Sequence, residues 1–180
     1  MRVGLGYDVH AFRDGRCLIL GGVDIPFEKG LDGHSDADVL VHALMDSMLG
    51  AANLGDIGTH FPDDDERYRG ADSIMLLAKT AQLVREAGYS FVNADCVIVA
   101  QRPKLKEYIP QMGINMAEAI GCPPEDVSVK ATTEEWLGFT GDMSGIKAYA
   151  VCLLEKQTSR GNDSAEDLIQ KMKTNQKGGR

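Results

Sequence analysis

Val3-Gly4-Leu5-Gly6-Tyr7-Asp8-Val9-His10 alternates apolar or aromatic residues with glycine, carboxylate and imidazole. A period of two predicts a strand, and residues two apart on a strand point to the same face. Asp8 and His10 can therefore reach a single ion. The stretch Asp36–Ala51 reads as a helix and carries His42. Two imidazoles and one carboxylate are the ligand set of a catalytic zinc site, which keeps its fourth position open for water or substrate. A structural zinc site would want four ligands, usually with thiolates. An Asp-x-His pair by itself is common. The run His34-Ser35-Asp36 just ahead of the same helix adds weight to it.

Outward from this stretch, alternation and β-branching predict strands at about 2–10, 17–26, 91–100, 126–133 and 145–154. Helical spacing predicts helices near 37–52, 72–88, 104–120 and 163–172. In the first helix Val39, Leu40, Ala43, Leu44 and Met48 form an apolar face. Asp38, His42 and Asp46 form a polar stripe on it, and Asp38 or Asp46 is expected to orient His42. Ser35 or Asp36 is the expected N-cap of that helix, and Asp72 or Ser73 that of the next. Gly88 reads as a helix stop. Mixed hairpin and crossover connections imply an α+β fold, a sheet with helices packed on one face. The expected domain covers residues 1–156. A polar C-terminal extension, partly helical or disordered, follows at 157–180.

The chain has 180 residues and a formal charge of −8, which disfavours a nucleic-acid partner. No run of about 18 apolar residues exists, so no membrane association is expected. Met1-Arg2 leads straight into strand-like sequence, without the pattern of a signal peptide. Cys17, Cys96, Cys122 and Cys152 form no C-x-x-C pair and read as reduced thiols of a cytoplasmic protein.

Three further stretches bear chemistry. His34-Ser35 precedes a helix start, where free backbone N–H groups suit a phosphate, although a serine there also serves as a cap. Lys130-Ala131-Thr132-Thr133-Glu134-Glu135 follows a strand and offers hydroxyls for phosphate and a carboxylate for Mg²⁺. The loop Ala100-Gln101-Arg102-Pro103-Lys104-Leu105-Lys106 exposes backbone groups that can read the edge of a base, or is an ordinary strand-to-helix connection. Phe61-Pro62-Asp63-Asp64-Asp65 is either a hard-cation site or a solvated turn.

Taken in order, these motifs resemble the 2-C-methyl-D-erythritol 2,4-cyclodiphosphate synthases of non-mevalonate isoprenoid biosynthesis. The resemblance runs from Met1 to about Leu154. It rests on Gly6-Tyr7-Asp8-Val9-His10, His34-Ser35-Asp36, Asp38-Val39, His42-Ala43-Leu44, Gly55-Asp56-Ile57-Gly58, Phe61-Pro62-Asp63, Ala71-Asp72-Ser73, Pro103-Lys104, Ile109-Pro110-Gln111-Met112, Lys130-Ala131-Thr132-Thr133, Glu135 and Leu137-Gly138-Phe139-Thr140-Gly141.

The resemblance implies a phosphorus–oxygen lyase. It would convert 4-CDP-2-C-methyl-D-erythritol 2-phosphate to the 2,4-cyclodiphosphate with release of CMP, in a homotrimer with sites at subunit interfaces. It further implies that Asp8, His10 and His42 hold a zinc-type ion, with manganese or cobalt as alternatives, and that Glu135 holds Mg²⁺ or Mn²⁺ with the substrate diphosphate. His34 and Thr133 would be catalytic, His34 and Ser35 would meet the methylerythritol phosphates, and Asp8 and His10 would lie against the substrate. Asp56, Ile57 and Gly58 would hold the sugar region beside Phe61, Pro62, Asp63, Asp64 and Asp65. Ala100 to Lys106 and Ala131 would receive cytosine. Thr132, Thr133, Glu134 and Glu135 would line the diphosphate, with Phe139 nearby. The chain departs from the family at Glu134, where threonine is usual, and at Asp142 and Ser144, where arginine and glutamate are usual. Lys147 is a candidate to replace the missing arginine. A zinc phosphohydrolase and a non-catalytic prenyl diphosphate binder are the competing readings.

Overall fold

The structure is a computed structural model that describes residues 1–157. The expected helix at 163–172 and the C-terminal extension beyond residue 157 lie outside the described residues. A five-stranded mixed sheet has the order β4-β1-β7-β5-β6. Its strands are β1 (Arg2–Asp14), β4 (Lys29–Leu31), β5 (Tyr89–Val99), β6 (Val127–Thr132) and β7 (Gly145–Lys156). All neighbouring pairs are antiparallel except β5 and β6. The parallel pair needs a crossover, supplied by α4 (Ile109–Ile120). The helices α1 (Val39–Ala52), α3 (Ser73–Glu86) and α4 cover one face; α2 (Ile57–His60) and α5 (Gly138–Gly141) are single turns.

The alternation of the N-terminal strand becomes a division between two faces. Gly4 and Gly6 are buried under α1, with Asp8 and His10 continuing the same face. Val3, Leu5, Tyr7 and Val9 point the other way and are exposed. Glycine is required at both buried positions: a Cβ would lie 1.8 Å from the Ser47 carbonyl oxygen at Gly4, and 1.9 Å from that of Ala43 at Gly6. The helix thus rests directly on the strand backbone. Leu40, Leu44 and Met48 fill the core beneath it.

Several expected boundaries move. The strand expected at 17–26 is a small hairpin, β2 (Leu18–Leu20) and β3 (Val23–Ile25), folded at Gly21-Gly22, both with positive φ. The first helix starts later than expected. Its cap is Asp38, whose carboxylate accepts from the Val41 N–H, because Ala37 takes a left-handed conformation and breaks the helix before it. Asp72 caps α3, and the helix ends at Glu86 with Gly88 just beyond at positive φ. The third helix begins at Ile109, since the Pro103 loop occupies the residues before it.

Candidate functional site

Strand β1 and helix α1 bring three ligand-type atoms into a triangle. Asp8 Oδ2 lies 3.0 Å from His10 Nε2 and 3.0 Å from His42 Nδ1, and the two imidazole nitrogens are 3.2 Å apart. An ion with bonds of about 2.0–2.1 Å in tetrahedral array would hold such atoms roughly 3.3 Å apart. Among the described residues this is the one group of three or more such side chains able to hold a metal ion. The outer nitrogens of both rings are occupied. His10 Nδ1–H donates to the Asp32 carbonyl at 2.6 Å, and His42 Nε2 meets the hydroxyls of Ser73 at 2.9 Å and Ser35 at 3.2 Å. Each ring therefore turns its other nitrogen toward the triangle, as metal-binding imidazoles do. Burial alone would raise the Asp8 carboxyl, but hydrogen bonds and charge from His10 and His42 hold it well below the usual carboxylate range. His10 responds in kind: burial opposes its protonation, and the Asp8 hydrogen bond and charge outweigh it.

The triangle opens into a cavity of about 190 Å³ shared with His34, Ser35, Ile57, Gly58, Phe61 and Asp63. Its rim is tied down by polar contacts. Arg16 donates to the carbonyls of Gly33, at 2.7 Å, and Ser35. The Gly70 N–H donates to the His34 carbonyl, and His34 Nε2 lies 3.3 Å from the Asp65 carbonyl. Phe61 is nearly buried and meets Tyr68 edge to face, with ring centroids 5.4 Å apart.

Two expected orienting groups serve elsewhere. Asp38 accepts from Gly22 and Val41, and Asp46 accepts from the Ile57 N–H at 2.8 Å, so neither reaches His42. Asp56 caps α2 through Thr59. Asp63, Asp64 and Asp65 do not converge on a cation site. Asp65 is bound by Arg67, whose hydrogen bonds lower its carboxyl to about 2. Pro62, Asp64 and Asp65 do not line the cavity.

A second cavity, of about 430 Å³, lies at the other side of the sheet, where β6 meets the loop after β5. Its wall includes Ala100, Pro103, Lys104, Leu105, Ala131 and Thr132, with Gln101, Lys106 and Thr133 also contributing. Arg102 does not line it. The Trp136 N–H donates to Gln101 Oε1, which links this loop to the segment after β6. In that segment Thr133 Oγ1 donates to Glu135, which sits with Trp136 in the left-handed region. That conformation costs about 1–3 kcal/mol per residue and collects at functional sites. Glu134 turns away to pair with Lys147 Nζ at 2.6 Å and to accept from Thr140. Lys147 also stands over the Phe139 ring, at 5.4 Å. Asp142 accepts from the Ser144 N–H.

The two cavities share no residue. Val9 pairs with Lys147, Lys147 with Val99, and Val99 with Thr132, so both lie at one level of the sheet. Three strand-to-strand steps, about 14 Å, separate β1 from β6 at that level. The sequence reading missed Arg16, Asp32 and the contact of Ser73 with His42. Ser73 carried a signal, as part of a quoted motif, but one that also fitted a helix cap.

Comparison with known proteins follows the same residues. Residues 1–155 match the model of the YgbB family. A relative from Desulfitobacterium hafniense is 60% identical over 156 residues, covering 87% of this chain and 99% of that protein. One from Clostridium perfringens is 58% identical, with 87% and 100% covered. Both are named 2-C-methyl-D-erythritol 2,4-cyclodiphosphate synthase. Among solved structures, IspF of Plasmodium falciparum in complex with CDP aligns with a TM-score of 0.76 at 32% identity, over 87% of this chain and 97% of that one. The bifunctional IspDF of Campylobacter jejuni aligns with a TM-score of 0.83 at 42% identity, over 86% of this chain and 42% of that one.

Proposed function

The chain belongs to the YgbB family, and on that premise we propose how its own residues perform the cyclodiphosphate synthase reaction. The reaction is an intramolecular phosphoryl transfer of isoprenoid biosynthesis. The 2-phosphate oxygen of 4-CDP-2-C-methyl-D-erythritol 2-phosphate attacks the β-phosphorus. The bond from that phosphorus to the oxygen bridging to CMP breaks, and CMP leaves in line. The substrate carries its own nucleophile, so the protein's task is to fold it until the reacting atoms meet.

The observation that carries this reading is that the Asp8, His10 and His42 triangle opens into the same cavity as His34 and Ser35. A zinc-type ion on the triangle, with manganese or cobalt able to serve, would polarise the β-phosphoryl group, and Mg²⁺ or Mn²⁺ on Glu135 would offset charge on the departing CMP. Ser35 Oγ accepts from the Ala37 N–H and keeps its own hydrogen for a phosphate oxygen. His34 faces the same space and donates to the charge that develops on the phosphoryl oxygens. Thr132 and Thr133 meet the diphosphate, and the apolar wall with its loop carbonyls and N–H groups receives cytosine. CDP in solved relatives supports that assignment. The purified chain, given the CDP-linked substrate, should form cyclic diphosphate and CMP, and a strong chelator should stop it. An opened monophosphate as product would favour hydrolysis and sink this reading.

The working unit is a homotrimer. Val3 and Leu5, each 69% exposed, and Tyr7, Val9, Tyr149 and Val151 leave the outer sheet face apolar, as a subunit interface would. Such an interface should bury well over about 1,200 Å² in total. Among the described residues no helix is long and apolar enough to cross a membrane, and the four cysteines are free thiols, in keeping with a cytoplasmic enzyme. Co-expressing His42→Ala with Glu135→Ala tests the shared site. Random assortment in a closed ring should rebuild about a quarter of the interface sites from two intact halves. No recovered activity, with each variant inert alone and mixed trimers present, would show that one chain holds the whole site.

A further inference from the structure

Helix α3 makes a polar contact with the proposed metal triangle through Ser73. Ser73, fully buried at the first turn of α3, places its hydroxyl 2.9 Å from His42 Nε2. That hydroxyl donates its one hydrogen to Asp36 Oδ1, while the Ser73 backbone N–H donates to Asp36 Oδ2 at 2.9 Å. A hydroxyl whose hydrogen is committed can only accept from a third partner. His42 Nε2 must therefore carry a hydrogen, which leaves Nδ1, facing Asp8 and His10, as the nitrogen a metal can take. Asp36 is itself held: its Oδ1 accepts from the Asp38 N–H, and its own N–H donates to the Ala71 carbonyl.

We infer that Ser73, backed by Asp36, is a positioning residue that fixes the tautomer and ring direction of His42, so that Nδ1 is presented to the metal. The inference rests on reading Asp8, His10 and His42 as the ligands, and extends that set to a partner on a separate helix. It also gives the direction of each hydrogen bond, from His42 to Ser73 to Asp36. Ser35, 3.2 Å from the same nitrogen, is the weaker acceptor, and it keeps its hydrogen for substrate. His10 is an internal control, because its outer nitrogen is fixed by a backbone carbonyl that no side-chain change removes.

The test uses the full chain, stripped of metal and labelled with ¹⁵N-histidine. Long-range ¹H–¹⁵N correlation should show His42 preferring hydrogen at Nε2, whatever Nδ1 shares with Asp8. In Ser73→Ala that preference should weaken, with His10 unchanged, and zinc affinity measured against a competing chelator should fall about 10–100-fold. Ser73→Thr, which keeps the hydroxyl, should recover most of it. Asp36→Asn sets an amide N–H against a donor and should also weaken zinc; it carries the test if Ser73→Ala does not fold. Ser35→Ala should leave zinc affinity within about twofold, as expected for the longer contact. A folded Ser73→Ala with native zinc affinity and an unchanged His42 spectrum would overturn the inference. So would a loss confined to Ser35→Ala. If the native chain bound no zinc, the metal reading would fail, while the tautomer measurement would still decide the role of Ser73.

Discussion

Gly6→Ala should damage the proposed metal site without touching any of its three ligand-type residues. The added Cβ would sit 1.9 Å from the Ala43 carbonyl oxygen and 2.7 Å from the Ser47 nitrogen. Ordinary contact begins at 3.4 Å, so from 1.9 Å strand and helix must part by about 1.5 Å. Neither contact can swing aside, since both are backbone atoms of α1. Asp8 and His10 follow on the same strand, and His42 adjoins Ala43, so the triangle must open with the gap. Metal ligands tolerate errors of only about 0.2 Å. Zinc affinity should fall at least about 100-fold, beyond the loss typical of an outer contact. Overpacking should cost about 3 kcal/mol in metal-free protein. Chelator competition gives the first quantity and urea unfolding without metal gives the second. Gly50→Ala is the control: it lies in the same helix, its Cβ meets nothing within 4 Å, and it should raise stability by about 0.5–1 kcal/mol. Native zinc affinity and native stability in Gly6→Ala would refute the argument.

Three other outcomes follow from separate parts of the molecule. Ala131→Leu places a larger side chain in the 430 Å³ cavity and should weaken CDP binding tenfold or more, by roughly 1.4 kcal/mol, with zinc affinity unchanged; calorimetry showing native CDP affinity would contradict it. Burial pushes the Asp38 carboxyl up to about 6, against the pull of the Gly22 N–H. A folded value above the unfolded one gives stability that is present below about 4 and lost as pH rises through 6. The advantage of native protein over Asp38→Asn in urea should thus be larger at pH 5 than at pH 8, and an equal gap would refute the assignment. Arg16→Met removes two hydrogen bonds to the Gly33 and Ser35 carbonyls and should lower kcat/KM at least tenfold, or about 1.4 kcal/mol, with zinc content intact; unchanged kinetics would show that the loop holds itself.

What the sequence made legible was set by periodicity. Strand parity placed Asp8 and His10 on one face, and the apolar spacing of α1 brought His42 over them, because strand and helix repeats are local properties. Contacts between distant loops were not readable. Asp36 and Ser73 each fit a helix cap, and their meeting depends on pairing between 34–36 and 70–73 that no local pattern encodes. The cap of α1 was misplaced for a related reason. Ser35, Asp36 and Asp38 all suit an N-cap, and the left-handed turn at Ala37 decides among them. Glu134 shows the limit of reasoning by position. Its neighbours point to phosphate chemistry, yet its own carboxylate goes to Lys147 and Thr140, while Glu135 accepts from the Thr133 hydroxyl.

The separation of the two cavities constrains how the enzyme can be built. Cyclisation needs the attacking oxygen and the β-phosphorus within about 3–3.5 Å. In one chain the metal triangle and Glu135 belong to β1 with α1 and to the turn after β6, with β7 and β5 between them. The strands that carry these two halves, β1 and β6, are about 14 Å apart, with two strands between them. Rearranging the sheet to close that gap would break the ladders that hold β1 to β7 and β7 to β5. Joining copies of the chain head to tail leaves each sheet intact and sets one protomer's nucleotide half beside the next one's metal half. A ring closes that arrangement with identical contacts, whereas an isologous pair would join like surfaces. In the proposed trimer the apolar outer strand residues would lie where the chains meet. If the trimer proposed above forms, the ring would be part of the active site, and a variant that disrupts the outer sheet face should lose activity while each chain still binds zinc.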